Sequence, residues 1–123
     1  MYSYQLYSSR NFPPLAATLK MLAETGYKDT EGFGGLYADA AKLAEMAAGL
    51  KANGLAMSTG HFSLDQIEKT PDFVIEIART LGMKKVYCPY VMPADRPTDG
   101  AGWRAFGARL QKAGAPVRAA GLG

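Results

Sequence analysis

The chain has 123 residues, of which 48% are hydrophobic and 20% charged, a composition that suits a packed core and excludes a disordered chain. The net charge of +3 is unevenly spread: residues 1–99 carry 10 Lys/Arg against 11 Asp/Glu, and the excess comes from Arg104, Arg109, Lys112 and Arg118. A nucleic-acid binder would instead show a basic stripe interleaved with aromatics, so no nucleic-acid partner is expected. No apolar run approaches the ~20 residues of a membrane span. The opening Met1–Gln5 lacks the basic and apolar regions of a secretory signal, and the lone Cys88 allows no internal disulfide. A cytoplasmic protein with no membrane partner is the expectation.

In chain order, a strand is predicted over Ser3–Tyr7. Pro13-Pro14 opens a helix with Leu15, Leu19 and Leu22 on one face, closed by Gly26. A second strand is predicted over Lys28–Phe33, then a helix with Leu36, Ala40, Leu43, Met46 and Leu50 aligned, closed by Gly54. The third strand is Leu55–His61. Ser63 and Gln66 have the spacing of a capping box for a short turn, and Thr70-Pro71-Asp72 reads as an N-cap followed by Pro at N1. The helix that follows aligns Phe73, Ile77 and Leu81, with Val74 and Ala78 beside them, and closes at Gly82. The fourth strand is Lys85–Val91. A loop over Pro93–Gly102 leads to a helix with Trp103, Phe106, Leu110 and Ala113 on one face, closed by Gly114.

The four closing glycines are 28, 28 and 32 residues apart. Glycine is the residue that takes the left-handed conformation just past a helix at no steric cost. The pattern is therefore a βα unit used four times, which demands parallel strands with right-handed crossovers. An open doubly wound sheet usually places a glycine-rich phosphate turn after its first strand; here that turn is Ser8-Ser9-Arg10-Asn11-Phe12-Pro13-Pro14, without a glycine. A singly wound barrel is preferred. A complete one needs eight units and roughly 250 residues, so four units make half of a (β/α)8 barrel, with strands in the order 1-2-3-4.

Ligands of such folds bind at the C-terminal ends of the strands. Those ends carry Tyr7 and Arg10, Glu31, His61, and Tyr90. By strict alternation Glu31 shares a face with Asp29 and Phe33, and His61 with Leu55, Met57 and Thr59. Neighbouring strands then aim Glu31 and His61 into one pocket, where a carboxylate and an imidazole orient hydroxyls or move protons. Tyr7 and Tyr90 also read as packing aromatics with a wet hydroxyl, Arg10 as a solvated cation or a phosphate holder, and Cys88 as a buried thiol. One His, one Cys and one or two strand-end acids do not make a tight metal site, so none is expected in this chain alone.

The segments Tyr4-Gln5-Leu6-Tyr7-Ser8-Ser9-Arg10, Gly26-Tyr27-Lys28-Asp29-Thr30-Glu31, Ser58-Thr59-Gly60-His61-Phe62 and Leu81-Gly82-Met83-Lys84-Lys85-Val86 with Cys88-Pro89 are similar to the first four strands of the xylose-isomerase-like sugar phosphate isomerases/epimerases. Trp103 to Gly114 resembles the helix that leads to strand five of that family. The resemblance covers residues 2 to 114. It implies isomerisation or epimerisation of a sugar or sugar phosphate through proton abstraction next to a carbonyl, with Tyr7, Glu31 and His61 on the substrate face. It also implies a divalent metal held by groups of strands five to eight, positions that do not exist here. No catalytic residue is assigned within this chain. The zinc-dependent abasic-site endonucleases share the barrel but need several histidines, and His61 is the one present.

After Gly114 the family would continue into a fifth strand. Residues 115–123 show neither strand period nor acids and read as an aberrant tail, so a truncation or frameshift near Gly114 is expected, with residues 1–114 as the half-barrel. Such a half would expose two strand edges and an apolar wall, which favours self-association. The alternative reading is a non-catalytic α/β binding or interaction domain, either flavodoxin-like with strand order 2-1-3-4 or a half-barrel paired with another chain.

Overall fold

The computed structural model describes residues 2–123. In chain order it contains β1 (Ser3–Gln5), α1 (Leu15–Glu24), β2 (Asp29–Gly32), α2 (Ala40–Asn53), β3 (Ala56–His61), α3 (Leu64–Lys69), α4 (Pro71–Leu81), β4 (Lys85–Tyr87), α5 (Gly100–Ala113) and α6 (Ala115–Ala119), with 3-10 turns at Leu6–Ser9, Gly34–Leu36 and Pro93–Asp95. The strands form one parallel sheet in the order β1-β2-β3-β4, each beside its predecessor. That is the order of a barrel half, and it rules out the 2-1-3-4 order of a flavodoxin-like sheet. No helix among the described residues is long and apolar enough to cross a membrane.

The strands are shorter than the sequence pattern suggests. β1 stops at Gln5 because the backbone turns into a 3-10 coil that buries Leu6. β4 stops at Tyr87, just ahead of Pro89, which has no N–H to give to a ladder. Cys88 consequently lies past the strand and is partly exposed rather than buried.

Helices cover one face of the sheet. Leu19 and Leu22 from α1, Met46 and Leu50 from α2, and Val74, Ile77, Ala78 and Leu81 from α4 join Leu6, Met57 and Met83 in one core. At the helix starts, Asp39 and Asp99 accept from the amides of Lys42 and Gly102, and Ser63 and Gln66 close the expected capping box. Thr70 makes no side-chain cap: its hydroxyl donates back to the Gln66 carbonyl, at the end of α3.

Strict alternation fails in β3. The β2–β3 register slips between Thr30 and Glu31, so Thr30 pairs with Met57 while Glu31 pairs with Thr59. The extra residue, Ser58, is a bulge. It turns Met57 into the helix-covered core, 1% exposed, while Thr59 and His61 share the opposite face with Glu31. The expected grouping of Met57 with Thr59 and His61 is therefore wrong, for the reason that one inserted residue inverts the parity of everything before it.

The uncovered face is polar rather than the expected apolar wall. Gln5, Thr59 and His61 each bond the Glu31 carboxylate across β1, β2 and β3. Lower down, Asp29 accepts from the Ser58 amide at 2.9 Å and from its hydroxyl.

The repeat of helix-closing glycines holds, with one correction. The left-handed glycines are Gly26, Gly54, Gly82 and Gly121. Gly114 is right-handed, at φ −76°. At each of the four, the next residue donates its amide to a carbonyl five residues back: Tyr27 to Leu22, Leu55 to Leu50, Met83 to Ala78 and Leu122 to Val117. These are four copies of one helix-terminating motif with its apolar residue just outside. The fourth unit is longer because α6 adds a turn after α5, and Pro116 in its first turn suits a helix start.

Residues 115–123 thus belong to the fold. Val117 and Leu122 are buried in the common core. Gly123 donates to the Lys84 carbonyl at 2.9 Å and accepts from the Val86 amide at 2.9 Å. That pair of bonds brackets Lys85 as a neighbouring parallel strand would. The same step in the third repeat has Ala56 donating to the Lys28 carbonyl.

Candidate functional site

The carboxylate of Glu31 organises the C-terminal end of the uncovered face. Its Oε1 lies 3.0 Å from His61 Nε2 and accepts from the Gln5 amide at 3.0 Å. Its Oε2 accepts from the Thr59 hydroxyl at 2.8 Å. An ionised carboxylate only accepts, so the ring nitrogen facing it carries the proton. Nδ1 is then the acceptor of a neutral ring. β1, β2 and β3 each contribute to this cluster, and the bulge at Ser58 is what lets Thr59 and His61 both face Glu31.

Above the cluster lies a cleft of about 740 Å³. Gln5, Tyr7, Phe33, His61, Phe62 and Tyr90 line it on the strand-end side, and Asp95 and Arg109 on the far side. Glu31 is not in its wall; it reaches the cleft through Gln5 and His61. The expected meeting of Glu31 and His61 is therefore present as a bonded pair, with His61 in the cleft wall and Glu31 behind it. Tyr7 and Tyr90 both reach the cleft and are half exposed. The Tyr7 ring stands edge-on to Phe33 at 5.3 Å, and Arg10 folds back over its other side, 3.9 Å from the ring centroid. Arg10 also donates to the Tyr7 carbonyl, so it braces the β1 turn and does not line the cleft.

Two features of the site lie outside the sequence reading. The far wall is held by Arg109 on α5, whose guanidinium bonds both oxygens of Glu68 at 2.6 and 2.8 Å and Asp95 at 2.7 Å. Arg109 holds the Glu68 carboxyl below its ordinary range, and the two carboxylates hold Arg109 higher still. The other feature is Tyr37, fully buried beneath the end of β3, whose hydroxyl donates to the His61 carbonyl at 2.8 Å. A tyrosine after Gly34-Gly35 gives no sequence sign of this, and residues 41 positions apart give none of the Glu68–Arg109 pair.

The described residues contain no group of three His, Cys, Asp or Glu side chains that could hold a metal ion. Glu31 and His61 supply two donors that satisfy each other, and Asp29 is engaged with Ser58 at the opposite end of the strands. The residues present do not fit a metal centre by themselves.

No protein-family model matches the chain, and none of the curated proteins matches it. Solved structures do. A sugar phosphate isomerase/epimerase from Parabacteroides distasonis superposes with a TM-score of 0.78 at 18% identity, over 98% of this chain and 48% of that one. An AP endonuclease of family 2 from Brucella melitensis gives 0.74 at 14% identity, over 98% and 52%. A xylose isomerase-like TIM barrel protein from Mycobacterium smegmatis, in complex with magnesium, gives 0.62 at 16% identity, over 90% and 46%. The chain spans about half the length of the solved structures it matches. At these identities the likeness shows the fold alone: four βα units, about half of a TIM barrel.

Proposed function

We propose that this chain is the strand 1–4 half of a sugar or sugar phosphate isomerase/epimerase barrel, and that its cleft binds and orients the substrate's hydroxyls. The observation that carries the reading is the Glu31–His61 pair, 3.0 Å apart at the C-terminal strand ends beside the cleft. Those ends are where barrels of this kind place their chemistry. Glu31 fixes the imidazole tautomer, His61 offers its other nitrogen to a hydroxyl, and Tyr7 and Tyr90 flank a sugar ring with their aromatic faces.

Proton transfer next to a carbonyl needs a base within about 3 Å of the carbon acid. Glu31 is held by three donors inside the chain and is poorly placed for that task. The proton-moving groups, and a divalent metal that polarises the carbonyl, are assigned to the strands that would complete the barrel. Some of the solved neighbours carry other chemistry, among them an AP endonuclease, but the single His61 does not favour a multi-histidine zinc cluster here.

The His61 ring resonances provide the test, because the chain has one histidine. Titration with aldose and ketose phosphates should shift them saturably, while an equal concentration of inorganic phosphate should not. No shift with any sugar or sugar phosphate removes the reading. Metal-supplemented aldose–ketose assays complete it: turnover by the chain alone would overturn the assignment of the proton-moving groups to other strands.

A further inference from the structure

We infer that Tyr37 is a positioning residue that holds His61 against Glu31 through the His61 backbone. The inference deepens the sugar-site reading and rests on it only for the consequence in ligand binding.

β2 ends at Gly32, opposite Gly60, so the β2–β3 ladder stops one residue short of His61. The His61 carbonyl takes its bond from the Tyr37 hydroxyl instead, at 2.8 Å. The Tyr37 ring stacks on Phe62, the next residue, with centroids 5.1 Å apart and planes 28° from parallel. One side chain therefore grips the two residues at the C-terminal end of β3. Two glycines border it: a Cβ on Gly32 would meet Met57 at 2.6 Å and the Tyr37 ring at 2.9 Å, and a Cβ on Gly60 would meet Met83 at 2.5 Å and the Tyr37 hydroxyl at 3.1 Å.

A core aromatic that only filled space would need no hydroxyl. Tyr37 is 1% exposed, and a buried hydroxyl without a partner is costly, so the bond to His61 is obligatory for this residue. Burial pushes the phenol upward and the nearby Glu31 charge adds to the effect, so it remains a donor across the physiological range. The imidazole has two chi angles of its own. What the carbonyl bond fixes is the Cα position from which Nε2 reaches Glu31, and a hydrogen bond of 3.0 Å tolerates only a few tenths of an ångström of drift.

The experiment is Tyr37→Phe, read by long-range 1H–15N spectra of the His61 ring. In the unaltered protein the Nε2–H tautomer should dominate the neutral ring. In Tyr37→Phe the Nδ1–H fraction should at least double, and binding of a sugar phosphate that shifts the unaltered protein should weaken about 3- to 10-fold, the range of one lost hydrogen bond. A lowered melting point with an unchanged His61 tautomer would make Tyr37 a structural residue only and overturn the inference. If the tautomer changes but no sugar phosphate binds even the unaltered protein, the positioning stands and the sugar reading falls. A measurement independent of the variant is the Tyr37 hydroxyl proton, which should be observed as a slowly exchanging resonance in the unaltered protein; a freely exchanging one contradicts the inference.

Discussion

His61 Nε2 lies 3.0 Å from Glu31 Oε1 across the β2–β3 junction, and the same carboxylate takes bonds from Gln5 and Thr59. One acceptor group thus ties three strands together on the face that no helix covers. Glu31→Gln keeps the shape but removes the charge and places two amide protons among three donors. Charge-assisted bonds contribute about 1.5–3 kcal/mol, so sugar phosphate binding should weaken at least about 10-fold. Ligand-observed NMR measures it. Retention of full affinity would mean that the pair serves the fold and not the ligand.

The bulge at Ser58 separates two residues that alternation would group together. Met57 packs in the core against the side of Gly32, while Thr59 bonds Glu31 on the open face. Met57→Ala should therefore cost about 2–5 kcal/mol, as a cavity in a closed core does. Thr59→Ala should cost less, about 1.5–3 kcal/mol, the worth of one hydrogen bond to a charged group. Urea unfolding of the two variants compares them directly, and equal losses would contradict the observed register.

Much of this fold was legible because each βα unit carries its own punctuation. Gly26, Gly54 and Gly82 are needed wherever a helix must reverse into a strand, and a left-handed residue is a local requirement that shows in a single sequence. Glu31 and His61 were legible for a similar reason: both are polar residues at the end of otherwise strand-like runs. What escaped was non-local or depended on parity. The Ser58 bulge exchanges one acceptable alternation for another, since both faces of β3 offer suitable residues. Gly114 and Gly121 both follow helical segments, and the choice between them rests on Val117 and Leu122 finding the core. Tyr37 and Arg109 bond groups distant in sequence, through contacts that no local pattern encodes.

The Glu68–Arg109–Asp95 cluster predicts a small acid-dependent term. The Glu68 carboxyl is held below its ordinary value of 4.5 by the hydrogen bonds from Arg109. A depressed folded-state value contributes stability above the unfolded value, and that contribution is lost as pH falls through the folded one. Between pH 7 and about 5 the cluster should therefore be fully effective, and below 4.5 it should fade. Its members are partly solvent-accessible, so the effect is modest and weakens with salt. Arg109→Met should flatten the fall in melting temperature between about pH 5 and 3 relative to the unaltered protein. Parallel curves would show that the cluster contributes nothing measurable.

The outer edge of β1 is unpaired among the described residues, and the edge of β4 is unpaired beyond the two bonds made by Gly123. Open edges recruit other strands. The face between them carries the polar cluster of Gln5, Glu31, Thr59 and His61, with exposed aromatics, Tyr87 and the cleft's Tyr7 and Tyr90, around it. Sedimentation velocity should show reversible, concentration-dependent association. A strict monomer would contradict recruitment through the open edges.

The end of the fourth unit yields the sharpest contrast between two glycines, one between α5 and α6 and one just past α6. Gly121 has φ +83° and open space where a methyl would stand, so Ala there meets no clash but must adopt a left-handed backbone. That conformation costs about 1 kcal/mol for a residue with a Cβ, and the whole cost should appear as lost stability. Gly114 has φ −76°, which any residue adopts, and a Cβ would meet chiefly the movable end of the Arg118 side chain at 2.7 Å. Ala at Gly114 sits between two helical segments and gains from reduced freedom in the unfolded chain, by about 0.4–1 kcal/mol where the side chain is accommodated. Gly121→Ala should melt about 3–5 °C below the unaltered protein and Gly114→Ala at or slightly above it. The reverse order would place the close of the fourth unit at Gly114 and detach residues 115–123 from the repeat. The predicted order instead follows from Leu122 donating to Val117 as Tyr27, Leu55 and Met83 donate in the first three units.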